Sequence, residues 1–166
     1  GLDFTRFTNE LDTVHFGHHD VSEKEDDVVG GIRKHLQGSG VPVEFSKGEW
    51  GPGQQEINIR YAQALEMADR HTLYKHIAKE VAWGHEKCLT FMAKWDAEEA
   101  GSSCHVHISL RDIAAAASAF VGAGAELIEG SKVVCTPLFR HFVGGMLAHA
   151  RDITLCLATT VNSYKR

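Results

Sequence analysis

At 166 residues, 43% of them hydrophobic, the chain can bury one core of ordinary domain size and has neither a disordered nor a membrane-like composition. Its formal charge of −5, from 22 acidic and 17 basic residues, comes with no block of Lys and Arg able to track a phosphate backbone, which argues against nucleic acid as a partner. No apolar run reaches the roughly 20 residues that cross a bilayer, and residues 1 to 6 lack the apolar centre of a signal peptide, so no membrane is expected.

Residues 1 to 26 are polar, rich in His and Asp and without sustained periodicity, and are expected to form a loop-rich lead-in with at most a short strand or turn. Asp27 then offers an N-cap, Val28, Val29, Ile32 and Leu36 recur near helical spacing, and Gly38 suits a left-handed C-terminal position. A short amphipathic helix is predicted there. The segments 41–46 and 56–61 alternate in side-chain character on either side of Gly51-Pro-Gly53, which predicts two strands joined by a shaped loop.

From Ala62 to Trp83 the residues Leu73, Tyr74, Ile77, Ala78, Val81 and Ala82 form a helical stripe that Gly84 ends. Two further strands are predicted at 88–93 and 104–110, with the acidic stretch 96–101 between them. The Ala-rich segment 114–128 reads as helix. Thr136 and Pro137 supply an N-cap and a first-turn proline for a second long helix reaching about Leu157. The fold class expected is α+β, an antiparallel sheet covered by long helices.

The four cysteines, Cys88, Cys104, Cys135 and Cys156, form no Cys-x-x-Cys pair, which fits reduced thiols in a cytoplasmic protein rather than a zinc knuckle or a dithiol redox motif. Glu49 and Glu56 flank the Gly-Pro-Gly loop, which returns the second carboxylate near the first. Carboxylate oxygens so placed suit Mg²⁺ or Mn²⁺, with phosphate oxygens and waters completing the octahedron. The alternative is a pair of solvated glutamates around a hairpin.

His105 and His107 are two apart on a predicted strand and therefore share a face with Ser109, a row able to meet a divalent ion or a phosphate. Hydrogen-bonded structural histidines are the alternative. Arg166 beside Lys165 offers a guanidinium fork for a carboxylate or phosphate, or else belongs to a solubilising surface pair. His15, His18 and His19 match no ligand spacing and are given no role.

Taken in order, Glu44-x4-Glu49-x3-Gly53-Gln54-x-Glu56, the run Thr90 to Lys94, then Gly101-Ser-x-x-His105-x-His107-x-Ser109-Leu110 and Asn162-Ser-Tyr-Lys-Arg166 resemble the catalytic domain of glutamine synthetase. The resemblance covers about Asp27 to Arg166 and is weak from Ile113 to Val134. It implies a catalytic-domain portion over 27–166 with 1–26 as lead-in. By position it implies that Glu49, Glu56 and His105 are metal ligands and that Glu44, Tyr61, His107 and Ser109 contact the nucleotide. Gly101 would lie in the loop that holds the amino-acid substrate, and Arg166 would serve the substrate carboxylate and catalysis.

The implied reaction is a two-step ligation. ATP phosphorylates the γ-carboxylate of glutamate, with Mg²⁺ or Mn²⁺ as cofactor, and ammonia or an organic amine displaces phosphate. The implied partners are glutamate, ATP and that amine, together with copies of the same chain in a homo-oligomeric ring. Ala100 stands where the family carries Asn, Ser103 where it carries a second Gly, and Trp95 follows Lys94 in place of Pro. Lys47-Gly-Glu-Trp50 fills the stretch where ammonia-using members often carry His-His-Glu. These departures resemble the branch that joins glutamate to organic amines.

The family's upstream Glu-x-Glu strand has no counterpart in residues 1 to 26. Since the sequence begins without Met and stops at Arg166 inside a motif, an excerpt of a longer protein, inactive by itself, is expected. Two other readings remain open at this point. One is a non-catalytic relative that keeps fold and assembly, and the other is metal-dependent hydrolysis.

Overall fold

The structure, a computed structural model, describes residues 23–114 and 116–166. The lead-in expected over residues 1 to 22, with its three histidines, lies outside the described residues. The chain divides into two compact units, one running to Ser102 and including Lys165 and Arg166, the other spanning Ser103–Tyr164.

In the first unit, helix α1 spans Glu23–Gly38, strand β1 Val43–Gly48, strand β2 Gln55–Ile59 and helix α2 Ala64–Gly84. Helix α1 begins before Asp27, so the expected N-cap lies inside the helix and residues 23 to 26 are helical rather than loop. The left-handed glycine is Gly40 at φ 77, two residues beyond the expected Gly38. The difference arises because the chain turns only after α1 is complete, where the Val41 amide donates to the Leu36 carbonyl at 2.9 Å.

The spacing of Val28, Ile32 and Leu36 places three apolar side chains on one stripe of α1. That stripe is buried with Val41, Ala78 and Ala82, and Val43, Ile57, Ile59, Tyr74, Ile77, Val81, Leu89 and Phe91 pack around it. Leu36 is wholly buried. Leu36→Ala is expected to destabilise the unit by roughly 2–5 kcal/mol, because the cavity cannot fully collapse between two helices and a hairpin. A fall in the urea midpoint with an unchanged slope is the readout, and a midpoint equal to wild type would contradict this account of the core.

The strands β1 and β2 pair antiparallel, with Lys47 opposite Glu56 and Gly48 opposite Gln55, and a bulge falls between Val43 and Phe45. Ile57 and Ile59 join the core below α1 and α2, so the alternation of a strand sends Glu56 and Asn58 to the other face. The packing of the hairpin thereby decides which side chains are available for chemistry.

The predicted strand at 88–93 is not paired into a sheet. Its alternation survives as burial, since Leu89 and Phe91 pack on the core while Thr90 and Met92 are exposed. Phe91 meets Tyr74 edge-on at 5.5 Å between ring centroids and carries the Lys75 ammonium 5.4 Å above its ring.

In the second unit, strands β3 (Glu126–Leu127) and β4 (Val134–Cys135) pair antiparallel, and helices α3 (Pro137–Ala148) and α4 (Ala150–Leu157) follow. A short 3₁₀ helix covers Val161–Lys165. Thr136 caps α3 as its sequence suggests: its hydroxyl donates to the Ala119 carbonyl at 2.7 Å and accepts from the Phe139 amide at 3.4 Å. Phe120 packs between Phe139 and Phe142, with centroids at 5.2 and 5.3 Å.

The one long helix expected to Leu157 is formed in two pieces that meet at His149, whose φ of −100 and ψ of 11 leave the helical region. Its imidazole Nδ1 lies 3.0 Å from the Asp152 carboxylate in the first turn of α4. The Ala-rich segment 114–128 is not helical. It holds a bridge between Arg111 and Ser118, a left-handed Ala116 and a positive-φ Gly122 before entering β3. Alanine favours helix intrinsically, but propensity is a weak prior that tertiary context overrides, and Gly122 and Gly124, both at positive φ, permit turns that a side chain would resist.

The second predicted strand, 104–110, has no regular secondary structure and pairs with no strand among the described residues, and Val106 and Ile108 are exposed rather than covered. Pairing is a tertiary property that alternation alone does not provide. The α+β class holds, and the described residues form two two-stranded antiparallel sheets.

Candidate active site

The site in the first unit is built on the β1–β2 hairpin. Glu49 lies two residues beyond Lys47 and shares its side of the chain, and Glu56 sits directly across from Lys47. The Lys47 ammonium consequently contacts both carboxylates, donating to Glu49 Oε1 and lying 3.2 Å from Glu56 Oε2. Glu56 also accepts from Asn58 Nδ2 at 2.6 Å. That bond holds the Glu56 carboxyl below the usual range; partial burial opposes it, and Glu49 and Lys47 add to it. Hydrogen bonds to Glu49 and Glu56 raise the Lys47 ammonium in turn, against a smaller opposing effect of burial.

The turn between the carboxylates is tied at both ends. The Gln54 amide donates to the Gly51 carbonyl and the Glu49 amide to the Gln54 carbonyl, both at 2.9 Å, while Gly53 takes a φ of 63 that glycine accepts without strain. The Gln54 side chain accepts from the Gly51 amide at 3.0 Å and donates to the Gly101 carbonyl at 3.1 Å and Ser102 Oγ at 2.9 Å. It fastens the carboxylate hairpin to the loop at 101–102.

Gly101 is pinned from its other side. A Cβ built there would lie 2.7 Å from Arg166 Cγ and 2.8 Å from the Ala93 carbonyl oxygen, which already accepts from the Ser102 amide at 2.8 Å. Lys94 closes the following acidic stretch by donating to the Glu99 carbonyl. The structure thus brings together Glu49 with Glu56, and Gln54 with Gly101 and Arg166. Glu44, the unmatched residue at the bulge, lines an open groove with Arg33, Lys34 and Gln37 of α1. Tyr61 follows β2 and is exposed.

His105, His107 and Ser109 belong to the second unit, all exposed on a segment without regular secondary structure. Within that segment Ser103 Oγ and His105 Nε2 are 3.0 Å apart. Among the described residues no three His, Cys, Asp or Glu side chains gather as a metal cage. Two carboxylates meeting on one cation nevertheless fit a Mg²⁺ or Mn²⁺ held partly by phosphate and water, because such ions need only one or two protein carboxylates. The Lys47 ammonium marks where positive charge is stable.

Glu49, Glu56, Gly101 and Arg166 were singled out from the sequence as site candidates, whereas the contacts of Lys47, Gln54 and Asn58 were not foreseen. Lys47 was recoverable by counting outward from the Gly-Pro-Gly turn, which puts it opposite Glu56. Gln54→Ala removes three side-chain hydrogen bonds, each worth about 1 kcal/mol net, and is expected to free the turn. Hydrogen exchange at the Gly51 amide should then quicken roughly tenfold; unchanged protection there would show that the side chain does not hold the turn.

All four cysteine thiols are free, and no helix among the described residues is long and apolar enough to cross a membrane. The sequence profile of the glutamine synthetase catalytic domain matches residues 7–166. Gamma-glutamylethanolamide synthetase of Streptomyces coelicolor is 42% identical over 135 residues, covering 81% of this chain and 27% of that protein. Glutamate–isopropylamine ligase of a Pseudomonas species is 40% identical over 157 residues, covering 90% of this chain and 30% of that protein. The chain therefore spans less than a third of the length of either relative. A solved structure of GmaS in complex with ADP superposes with a TM-score of 0.75 at 34% identity, covering 86% of this chain and 31% of that one.

Proposed function

Because the chain belongs to the glutamine synthetase family through its catalytic domain, we propose that its parent protein is an ATP-dependent ligase joining the γ-carboxylate of glutamate to an amine. The carrying observation is the convergence of Glu49 and Glu56 on a single cation at the tip of a hairpin that Gln54 ties to Gly101 and Ser102, with Arg166 beside Gly101. In this reading the γ-phosphoryl group of ATP passes to a glutamate γ-carboxylate oxygen, releasing ADP. The amine nitrogen then attacks the activated carbonyl, and a C–N bond forms as the C–O bond to phosphate breaks and the nitrogen gives up a proton.

Glu49 and Glu56 are assigned to one Mg²⁺ or Mn²⁺ and His105 to a second, ions that when bound would offset the charge on the phosphoryl oxygens. Glu44, Tyr61, His107 and Ser109 are assigned to the nucleotide. Gly101 presents backbone to glutamate, and Arg166 supplies a guanidinium for its carboxylate and for charge gathered during transfer. Residues 27–166 form part of the catalytic domain in this reading, and the complete site belongs to a homo-oligomer.

An organic amine is favoured over ammonia. Ala100, Ser103, Trp95 and the Lys-Gly-Glu stretch depart from the ammonia-using pattern, and the names of both relatives above specify an organic amine or its amide product. The test is ADP release by the longest native form of the protein with Mg²⁺ or Mn²⁺, glutamate and a panel of ammonia, monoamines and polyamines. Release that requires both glutamate and one amine supports the ligase. Release without glutamate points to hydrolysis, and no release under any condition points to a non-catalytic member; either would overturn the proposal.

A further inference from the structure

We infer that Lys47 is a built-in counter-cation of the Glu49–Glu56 pair, which holds both carboxylates in place without a divalent ion and must leave them for one to bind. The inference rests on the reading of Glu49 and Glu56 as metal ligands. Its basis is the hairpin register, which sets Lys47 opposite Glu56 and two residues before Glu49, so that one ammonium meets oxygens of both. Two carboxylates aimed at one point repel each other unless a positive charge stands between them.

A divalent ion of this class would sit about 2.0–2.1 Å from carboxylate oxygens of the same pair, and an ammonium standing between the two carboxylates occupies that point and repels it. The two cations therefore exclude one another. Lys47 is suited to leaving: its side chain is 35% exposed, and its flexible four-carbon stem lets the ammonium swing into water, where it is strongly hydrated. Metal uptake becomes an exchange, so the metal-free hairpin keeps its shape and the ion binds more weakly than the two carboxylates alone would allow.

Two measurements on the longest native form give opposite signs for one substitution. In Lys47→Met, Mn²⁺ binding followed by titration calorimetry and by the loss of the free-ion EPR signal should tighten about tenfold. The melting temperature without metal should fall, and its rise on adding Mn²⁺ should exceed that of wild type. Lys47→Arg, which keeps the charge, should stay near wild type in both, and Lys47→Gln provides a second neutral variant should the methionine disturb folding.

Neutral variants that bind Mn²⁺ no more tightly than wild type, while Glu49→Gln abolishes that binding, would overturn the exchange and leave the metal reading intact. Mn²⁺ binding indifferent to Glu49→Gln would overturn the metal reading and the exchange with it.

Discussion

Gly101→Ala is expected to raise the KM for glutamate and lower kcat/KM by about ten- to a hundredfold, the range that 1–3 kcal/mol of overpacking produces. The added methyl carbon would lie 2.7 Å from Arg166 Cγ and 2.8 Å from the Ala93 carbonyl oxygen. Arg166 can rotate away, but doing so moves the guanidinium assigned to the substrate carboxylate. The Ala93 carbonyl is backbone and accepts from the Ser102 amide, so shifting it breaks that bond and strains the Gln54 bond to Gly101. Either relaxation misplaces a group that binding needs, and small misplacements in such sites are costly. Steady-state kinetics across a glutamate series measure the effect, and wild-type KM and kcat in this variant would contradict the placement of Gly101 and Arg166 at one subsite.

Glu49→Gln should lower kcat by about a hundredfold or more while leaving the melting temperature of the metal-free protein close to wild type. The substitution keeps shape and removes one charge from the pair assigned to the metal, an electrostatic loss of the kind that costs 10²–10³ in rate. Its structural cost is small because Lys47 keeps Glu56 as a partner at 3.2 Å and all three side chains are partly exposed. The split between activity and stability is the informative readout. A variant that loses both together would mark Glu49 as part of the hairpin's scaffold, and one that loses neither would remove it from the site.

The hairpin and its two helices were legible because each is specified locally. Val28, Ile32 and Leu36 repeat at helical spacing, the segments around Phe45 and Ile57 alternate, and Gly51-Pro-Gly53 dictates a turn. Thr136 and Pro137 likewise announced the start of α3. The misreadings fall where a partner decides. Residues 88–93 and 104–110 alternate like strands, yet a strand exists only if another pairs with it, and these have no pairing partner among the described residues. The alanines after Ile113 suggested helix by propensity, but propensity is a weak prior, and the glycines at 122 and 124 take positive φ within the run.

The same division holds at the site. The approach of Glu49 and Glu56 to each other was legible because the loop between them is short and its glycines allow it to turn back. Lys47 and Gln54 were missed because their roles depend on register and on contact with a loop some fifty residues later, Gln54 reaching Gly101 and Ser102 across a separation of 47 and 48 positions. For His105 the sequence anticipated a face shared with His107 and Ser109, and the Ser103 hydroxyl, two residues before it, lies 3.0 Å from its ring nitrogen.

Transfer of oxygen from glutamate to phosphate tests the ligase most directly. Glutamate labelled with ¹⁸O in its γ-carboxylate, supplied with ATP, Mg²⁺ and the best amine to the longest native form, should yield inorganic phosphate carrying one ¹⁸O per turnover, because the carboxylate oxygen leaves with the phosphoryl group. Unlabelled phosphate released at the rate of ADP would mean that water, not the carboxylate, attacks ATP, and would contradict the acyl-phosphate reading of this site.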